Sequence, residues 1–212
     1  MSQGKFIAFE GGEGAGKSTQ AHMLSQVLRS RGIEVVVTRE PGGTPGAEAI
    51  RQLLLGQGGA DWNAWAEALL FAAARSDHVE TLIRPAIACG KWVICDRFVD
   101  SSRAYQGGGG GLSDADILTL HRIGSGGLLP DLTLLIEIDP QTAAARLALR
   151  DPDGADRIGA RDAAYHAKVA AAFRRFADAE PARFARIDGN GSPDKTQAHV
   201  LNALAQLLGE SS

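Results

Sequence analysis

The segment Gly11–Ser18 carries the strongest chemical signal in the chain. It reads Gly-Gly-Glu-Gly-Ala-Gly-Lys-Ser and matches G-x-x-x-x-G-K-[ST] in full. Glycines permit a tight loop whose backbone N–H groups converge on an anion, and the following helix aims its positive end at the same point. The spacing predicts a cradle for the phosphates of ATP, with Lys17 on the β- and γ-phosphates and Ser18 on Mg²⁺. The residues predicted to bind ATP are Gly11, Gly12, Glu13, Gly14, Ala15, Gly16, Lys17, Ser18 and Thr19.

The cradle alone leaves the class of protein open, because motor ATPases, GTPases, transporter subunits and small-molecule kinases all use it. The chain contains no N/T-K-x-D guanine motif, which disfavours a GTPase, and 212 residues are short for a transporter ATPase. A small-molecule kinase needs a second pocket for the acceptor and a basic lid, so these two features decide the class.

Candidates for the acceptor pocket follow the apolar runs of the sequence. Asp96 and Arg97 come directly after one run: an acid at the carboxyl end of a strand suits a magnesium shell, and the arginine beside it suits an anionic acceptor. The segment Thr38–Thr44, which reads TREPGGT, follows another run.

These motifs together resemble the thymidylate kinase family in its bacterial form. The combination of TREPGGT with DR-x-x-x-SS-x-AYQG, the latter at Asp96–Gly107, is far more specific than either motif alone. The resemblance implies a nucleoside monophosphate kinase-like fold and transfer of the γ-phosphoryl group of ATP to dTMP, with Mg²⁺ as cofactor and a homodimer as the assembly. It is carried by Glu10–Thr19, Thr38–Thr44, Leu70–Arg75, Asp96–Phe98, Ser101–Gly107 and Asp156–Ile158.

The resemblance also implies roles on the phosphate and sugar side of dTMP. Arg51 and Arg97 would hold the acceptor phosphate. Glu13 would contact the 3′-hydroxyl of the deoxyribose, and the ring of Tyr105 would crowd a ribose 2′-hydroxyl. Asp96 would lie with Ser18 near the magnesium ion.

On the base side, Phe71 would stack on thymine and Arg75 would hydrogen-bond the base. Taken singly, each has a simpler interpretation, since Phe71 lies in an apolar helix and Arg75 could be a solvated charge. Their co-occurrence with the other motifs favours the pocket. The further predicted pocket residues are Glu40, Ser101 and Gln106.

A charged segment with Pro152 and Gly154 is predicted to form a short lid at about residues 150–161. Eukaryotic family members carry a transfer arginine at the position of Gly14, whereas the bacterial form places it in the lid. Arg150 is the first choice, at the junction of helix and lid, and Arg157 is the second. Arg146 and Arg161 are interpreted as surface charges.

The predicted chemistry needs no general base, because a phosphate monoester with a second pKa of ~6 is already largely dianionic at neutral pH. The obstacle is repulsion between two polyanions. Lys17, Arg97, a lid arginine and magnesium would offset it, so these side chains are the predicted catalytic groups.

The elements that must position these residues are five short apolar runs separated by helical patterns. Alternating strands and helices predict a doubly wound, five-stranded parallel sheet in a single α/β domain over residues 1–212, with each strand buried on both faces. Gln57–Asp61 and the glycine-rich Gln106–Leu112 are predicted to be loops. The predicted strands are Phe6–Phe9, Val35–Thr38, Trp92–Cys95, Leu132–Ile138 and Phe184–Ile187.

Composition excludes several other classes. The formal net charge is −3, which does not favour a nucleic-acid partner, and no apolar run approaches the ~20 residues of a membrane span. Cys95 lies in an apolar run and only Cys89 accompanies it, so a reducing cytoplasm is expected rather than a disulfide framework.

Two alternatives stay open at this point. Another nucleotide or nucleoside kinase could act on uridylate, cytidylate or a deoxynucleoside, although Arg51 with Arg97 favours a phosphorylated acceptor and Tyr105 disfavours ribose. A nucleotide-binding regulator is the second alternative, and the full acceptor pocket and basic lid argue against it.

Overall fold

The computed structural model describes residues 4–56, 61–150 and 157–209, without the side chain of Arg150. Most of the predicted loop Gln57–Asp61 and residues 151–156 of the predicted lid lie outside this description. Five strands form one parallel sheet in the order β2-β3-β1-β4-β5. The strands are β1 Phe6–Glu10, β2 Val35–Arg39, β3 Trp92–Asp96, β4 Leu132–Glu137 and β5 Phe184–Asp188. The predicted strands are confirmed to within one residue at each end, and so is the doubly wound parallel fold.

Helices connect the strands and cover both faces of the sheet, as right-handed crossovers require. Thr44, Asn63, Ser113, Asp162 and Ser192 each cap a helix with a side-chain oxygen, which explains where these helices begin. The helices are α1 Lys17–Ser30, α2 Pro45–Leu55, α3 Ala64–His78, α4 Arg84–Ala88, α5 Val99–Ser102, α6 Asp114–Ser125, α7 Pro140–Arg150, α8 Ala163–Ala179 and α9 Pro193–Leu204. Wider π-helical turns at Val79–Ile83 and Arg103–Gly109 extend α3 and α5.

Alternate side chains of the central strands point into separate cores. Ile7 and Phe9 pack with α1 and α9, whereas Phe6 and Ala8 pack with residues that follow α3 and β3. The prediction that every strand is buried on both faces is wrong for the two edge strands: Val37 of β2 is 41% exposed, and Arg186 of β5 is also exposed. An edge strand has a neighbour on one side only, so helices cover it less completely.

The prediction that Gln106–Leu112 forms a loop is also wrong for the first half of this segment. Gly107, Gly108 and Gly109 continue the π-helical turn and pack against α8. A Cβ added to Gly108 would lie 2.5 Å from the Ala172 Cβ, and one on Gly109 would lie 2.5 Å from a ring carbon of Tyr165. The glycines therefore let two helical segments approach closely.

Cys95 is buried, Cys89 is exposed, and both are free thiols. Among the described residues no helix is long and apolar enough to cross a membrane.

Candidate active site

A cleft of about 540 Å³ opens at the carboxyl edge of the sheet. Residues from the ends of β1, β2 and β3 meet there because Phe9 and Arg39 are both register partners of Asp96. The predicted residues that line the cleft are Glu13, Gly14, Gly16, Lys17, Ser18, Thr19, Glu40, Arg51, Phe71, Arg75, Asp96, Arg97, Ser101, Tyr105 and Gln106. Gly11, Gly12 and Ala15 belong to the same loop without lining the cleft, and Arg157 lies beside it rather than on its wall.

The phosphate cradle runs from the end of β1 to the start of α1. Gly14 has φ +72°, and a Cβ there would lie 3.0 Å from the Ala143 carbonyl oxygen on α7, so this position has no room for a side chain. Lys17 is 7% exposed, and its Nζ donates to the carbonyl oxygens of Gly11 at 3.1 Å and Gly12 at 2.7 Å. Burial, together with the charge of Arg97, lowers the pKa of Lys17 to about 8.

Ser18 and Asp96 are hydrogen-bonded at the N-terminus of α1, where Ser18 Oγ donates to Asp96 Oδ2. Hydroxyl and carboxylate oxygens are ligands that Mg²⁺ accepts. Within the described ranges no three histidine, cysteine, aspartate or glutamate side chains cluster as a metal site. The pair therefore suits a magnesium ion that completes its shell with water and nucleotide phosphates, not one caged by protein.

Arg97 joins the cradle to the acceptor side. Its backbone has φ +69°, which a non-glycine residue adopts only when the surroundings hold it there. The guanidinium donates to Gly11 O at 3.1 Å, to Glu13 Oε1 at 2.5 Å and to the Tyr105 hydroxyl at 3.2 Å. The loop conformation thus aims a permanent positive charge at the gap between the donor and acceptor halves of the cleft.

Glu10 supports this loop from below and is fully buried. Its Oε1 accepts from the backbone N–H groups of Phe98 at 2.8 Å and Ser101 at 3.0 Å, and its Oε2 accepts from Ser101 Oγ at 2.6 Å. Burial, reinforced by the charge of Asp100, raises the pKa of Glu10 to about 7. Glu10 therefore holds the segment that carries Arg97.

At the far end of the cleft, Arg75 is 3% exposed. Its Nε donates to Glu40 Oε2 at 2.8 Å and its Nη2 donates to Ser102 Oγ at 2.8 Å. The other oxygen of Glu40 accepts from His78 Nδ1 at 3.1 Å. Arg75 Nη1 makes no hydrogen bond to a described residue, so this group is left to meet a ligand.

Two arginines interpreted as surface charges are placed differently by the structure. Arg146 lines the cleft, and its Nη2 donates to the carbonyl oxygens of Gly189 at 2.8 Å and Gly191 at 3.1 Å. Arg161 pairs with the buried carboxylate of Glu67 at 2.6 Å. Neither position is visible from sequence, because Arg146 contacts the loop after β5 and Arg161 contacts Glu67 on α3, both far away along the chain.

Glu67 is a buried charged residue, in contact with the predicted pocket residue Gln106, that the sequence analysis did not single out. It is 2% exposed and accepts hydrogen bonds from Gln106, Arg157 and Arg161. A usable signal existed: Glu67, Phe71 and Arg75 are spaced four residues apart on one helix and therefore share a face.

A complete phosphate cradle beside an anion-binding pocket, at the carboxyl edge of a 2-3-1-4-5 parallel sheet, defines the class of P-loop nucleoside monophosphate kinases.

The comparisons with known proteins narrow this class to one family. The thymidylate kinase family model matches residues 9–200. The chain is 59% identical to the thymidylate kinase of Rhizorhabdus wittichii, with 97% of this chain and 99% of that protein covered. It is 47% identical to the thymidylate kinase of a Bradyrhizobium species, with coverage of 97% and 92%. The crystal structure of thymidylate kinase from Ehrlichia chaffeensis superposes with a TM-score of 0.78 at 31% identity, covering 95% of this chain and 99% of that one. The chain belongs to the thymidylate kinase family.

Proposed function

We propose that this protein transfers the γ-phosphoryl group of ATP to dTMP, giving ADP and dTDP for dTTP synthesis. The observation that carries the proposal is Arg97, whose guanidinium contacts both the cradle loop and Tyr105 of the acceptor pocket. One fixed charge there can meet the transferring phosphoryl group and the acceptor phosphate together.

On the donor side, Gly11–Thr19 would wrap the phosphates of ATP, with Lys17 on the β- and γ-phosphates. Ser18 and Asp96 would hold Mg²⁺, which when bound supplies neutralisation of phosphate charge. Arg146 donates to Ala15 O of the P-loop and to the carbonyl oxygens of Gly189 and Gly191, and the loop Asp188–Ser192 that it holds would lie beside the adenine ring.

On the acceptor side, Arg51 and Arg97 would hold the dTMP phosphate in planar, paired hydrogen bonds. Arg51 is steered toward the cleft by donating to the Pro41 carbonyl oxygen at 2.7 Å. Glu13 would bind the 3′-hydroxyl. Tyr105 is 4% exposed, so its ring cannot easily yield to an added 2′-hydroxyl.

At the base, Arg75 Nη1 would donate to a carbonyl oxygen of thymine while Phe71 stacks on the ring. Glu40 acts through Arg75, since both of its oxygens are engaged by Arg75 and His78. Ser101 belongs to the same wall of the cleft, between Glu10 and Arg97.

The transfer itself would be an in-line displacement in which a dianionic phosphate oxygen attacks and ADP leaves. Lys17, Arg97 and a lid arginine, Arg150 or Arg157, would neutralise the charge on the three equatorial oxygens. A lid that closes over both nucleotides would also keep water from the γ-phosphoryl group.

The protein is further proposed to be a cytoplasmic homodimer. Helix α3 turns one face toward the cleft and the opposite face outward, where Trp65 is 48% and Leu69 is 52% exposed. The neighbouring helices α2 and α6 contribute Leu53 and Ile123, which are 52% and 73% exposed. A second copy of the chain would cover these apolar side chains.

The test is ADP release in a coupled assay with ATP, Mg²⁺ and a panel of acceptors: dTMP, dUMP, UMP, CMP, AMP, GMP and thymidine. Turnover that strongly favours dTMP supports the proposal. Preference for another acceptor would keep the kinase class and overturn the assignment of the base pocket. Binding of dTMP without acceptor-dependent ADP release would favour a nucleotide-binding regulator.

A further inference from the structure

We infer that Glu67 is a specificity-determining residue that fixes the side-chain amide of Gln106 with its oxygen toward the base. This inference rests on the proposed acceptor site. It identifies the residue that decides which hydrogen-bonding edge of a base the pocket accepts. Glu67 acts through Gln106 and is a positioning residue, not a catalytic one.

The geometry around Glu67 is built from three elements. Glu67 lies in the first turn of α3 and Gln106 in the π-helical turn after α5, and Gln106 Nε2 donates to Glu67 Oε1 at 2.9 Å. On its other oxygen, Glu67 Oε2 accepts from Arg161 at 2.6 Å and Arg157 at 3.2 Å. Two guanidinium groups therefore balance a carboxylate that is 2% exposed.

The chemistry of the pair determines how the amide is turned. An ionised carboxylate only accepts hydrogen bonds, so the NH₂ group of Gln106 must face Glu67. The amide oxygen then points away from Glu67. Gln106 is 2% exposed and lines the cleft, and no described residue donates to its oxygen.

Together, Gln106 and Arg75 present a defined pattern to a base. Arg75 Nη1 is a donor and Gln106 Oε1 is an acceptor. An imide base such as thymine offers a carbonyl oxygen next to a ring N–H, which matches this order. Cytosine offers an amino group next to a ring nitrogen acceptor. Its amino donor would face the donor of Arg75, and its ring acceptor would face the acceptor of Gln106. A buried site left with unpaired polar groups rejects such an analogue strongly.

The variant E67Q would reverse this orientation. Arg157 and Arg161 only donate, so the new amide would direct its oxygen toward them and its NH₂ group toward Gln106, whose oxygen would then face position 67 instead of the base. The variant E67Q keeps the shape of the side chain while removing the reason for Gln106 to present its oxygen. The double variant E67Q/Q106E restores that reason, since the carboxylate at 106 accepts from the amide at 67 and offers its second oxygen to the base.

The experiment compares kcat/KM for dTMP and for dCMP in the wild-type chain, E67Q, E67Q/Q106E and the control E80Q. Glu80 lies on the exposed side just after α3 and pairs only with Arg84 among the described residues, so E80Q removes one charge away from the cleft. Thermal unfolding of each variant checks that it folds.

We expect the dTMP-to-dCMP ratio of kcat/KM to fall about tenfold or more in E67Q, chiefly through a higher KM for dTMP, and to return in E67Q/Q106E. E80Q is expected to keep the wild-type ratio. A folded E67Q with the wild-type ratio, or with equal losses on both acceptors, would overturn the inference. If E67Q does not fold, the double variant decides alone: a ratio at or above that of the wild type supports the inference, and a ratio near one overturns it.

These outcomes are separate from a failure of the proposed function. A wild-type chain that does not phosphorylate dTMP would remove both the function and the inference. A wild-type chain that prefers dTMP while E67Q prefers it equally well would leave the function in place and remove only the role of Glu67.

Discussion

Lys17 is the phosphate-binding residue of the cradle whose charge changes within the accessible pH range. Its pKa is lowered from 10.5 to about 8 by burial, helped by Arg97, so in the free protein the ammonium form is present below pH 8 and is lost as the pH rises through that value. We expect the affinity for a non-hydrolysable ATP analogue with Mg²⁺ to weaken progressively above pH 8, measured by titration calorimetry.

The acceptor provides an internal control for this prediction. Binding of dTMP depends on arginines, which stay charged throughout this range, and its phosphate is already dianionic. The affinity for dTMP should therefore stay nearly constant between pH 8 and pH 9, where Glu10, with a pKa of about 7, is already ionised. If the affinities for both ligands fell in parallel, the cause would be a general loss of structure. A constant affinity for the ATP analogue up to pH 10 would contradict the lowered pKa of Lys17.

Arg150 is the first candidate for the transfer arginine. We expect Arg150→Ala to lower kcat by about 10³-fold with only a modest change in KM for dTMP, because a transfer arginine acts on charge that develops in the transition state. Steady-state kinetics would measure this. Arg174→Ala, at a half-exposed arginine paired with Glu137, is the matched control and should keep its kcat. A normal kcat in Arg150→Ala would move the role to Arg157.

At the scale of elements, the contact between the glycine run and α8 is a close approach of two helical segments. A Cβ on Gly108 would lie 2.5 Å from the Ala172 Cβ, whereas one on Gly107 has 3.5 Å of space to its nearest neighbour. We expect Gly108→Ala to lower the free energy of unfolding by about 1–3 kcal/mol through overpacking.

Gly107→Ala is the matched control, and it should be neutral or stabilising by up to about 1 kcal/mol, since alanine favours the helix and nothing opposes it. Urea denaturation would compare the two variants. Equal effects would mean that the segments do not pack as closely as described. Because Tyr105 and Gln106 lie on the same turn, Gly108→Ala is also expected to raise KM for dTMP.

At the scale of the whole molecule, one face of α3 points toward the cleft and the opposite face forms part of the proposed dimer interface. Leu69→Glu places a charge on the outward face, where burial by a second copy would be costly. We expect this variant to sediment as a monomer in analytical ultracentrifugation, whereas Leu149→Glu, at a residue 87% exposed on α7, should remain a dimer. A wild-type chain that sediments as a monomer at all concentrations would overturn the homodimer.

Much of this protein is determined by local sequence. The strands follow from apolar runs, the cradle follows from glycine spacing that only a loop with left-handed positions can satisfy, and α7 begins at Pro140 because proline suits the first position of a helix. These features depend on neighbours within a few residues, so a single sequence suffices to identify them. The family resemblance then placed Arg51, Phe71, Arg75 and Tyr105 on one pocket, and the structure brings them to one cleft.

The tertiary structure alone decided the features that join distant segments. Glu67 meets Gln106, 39 residues later, and Arg161, 94 residues later. Arg146 reaches the loop after β5, and the glycine run is a packing surface only because α8 folds against it. No local pattern encodes such contacts, because their energy arises from burial and hydrogen bonding between elements that the chain brings together only when the sheet has formed.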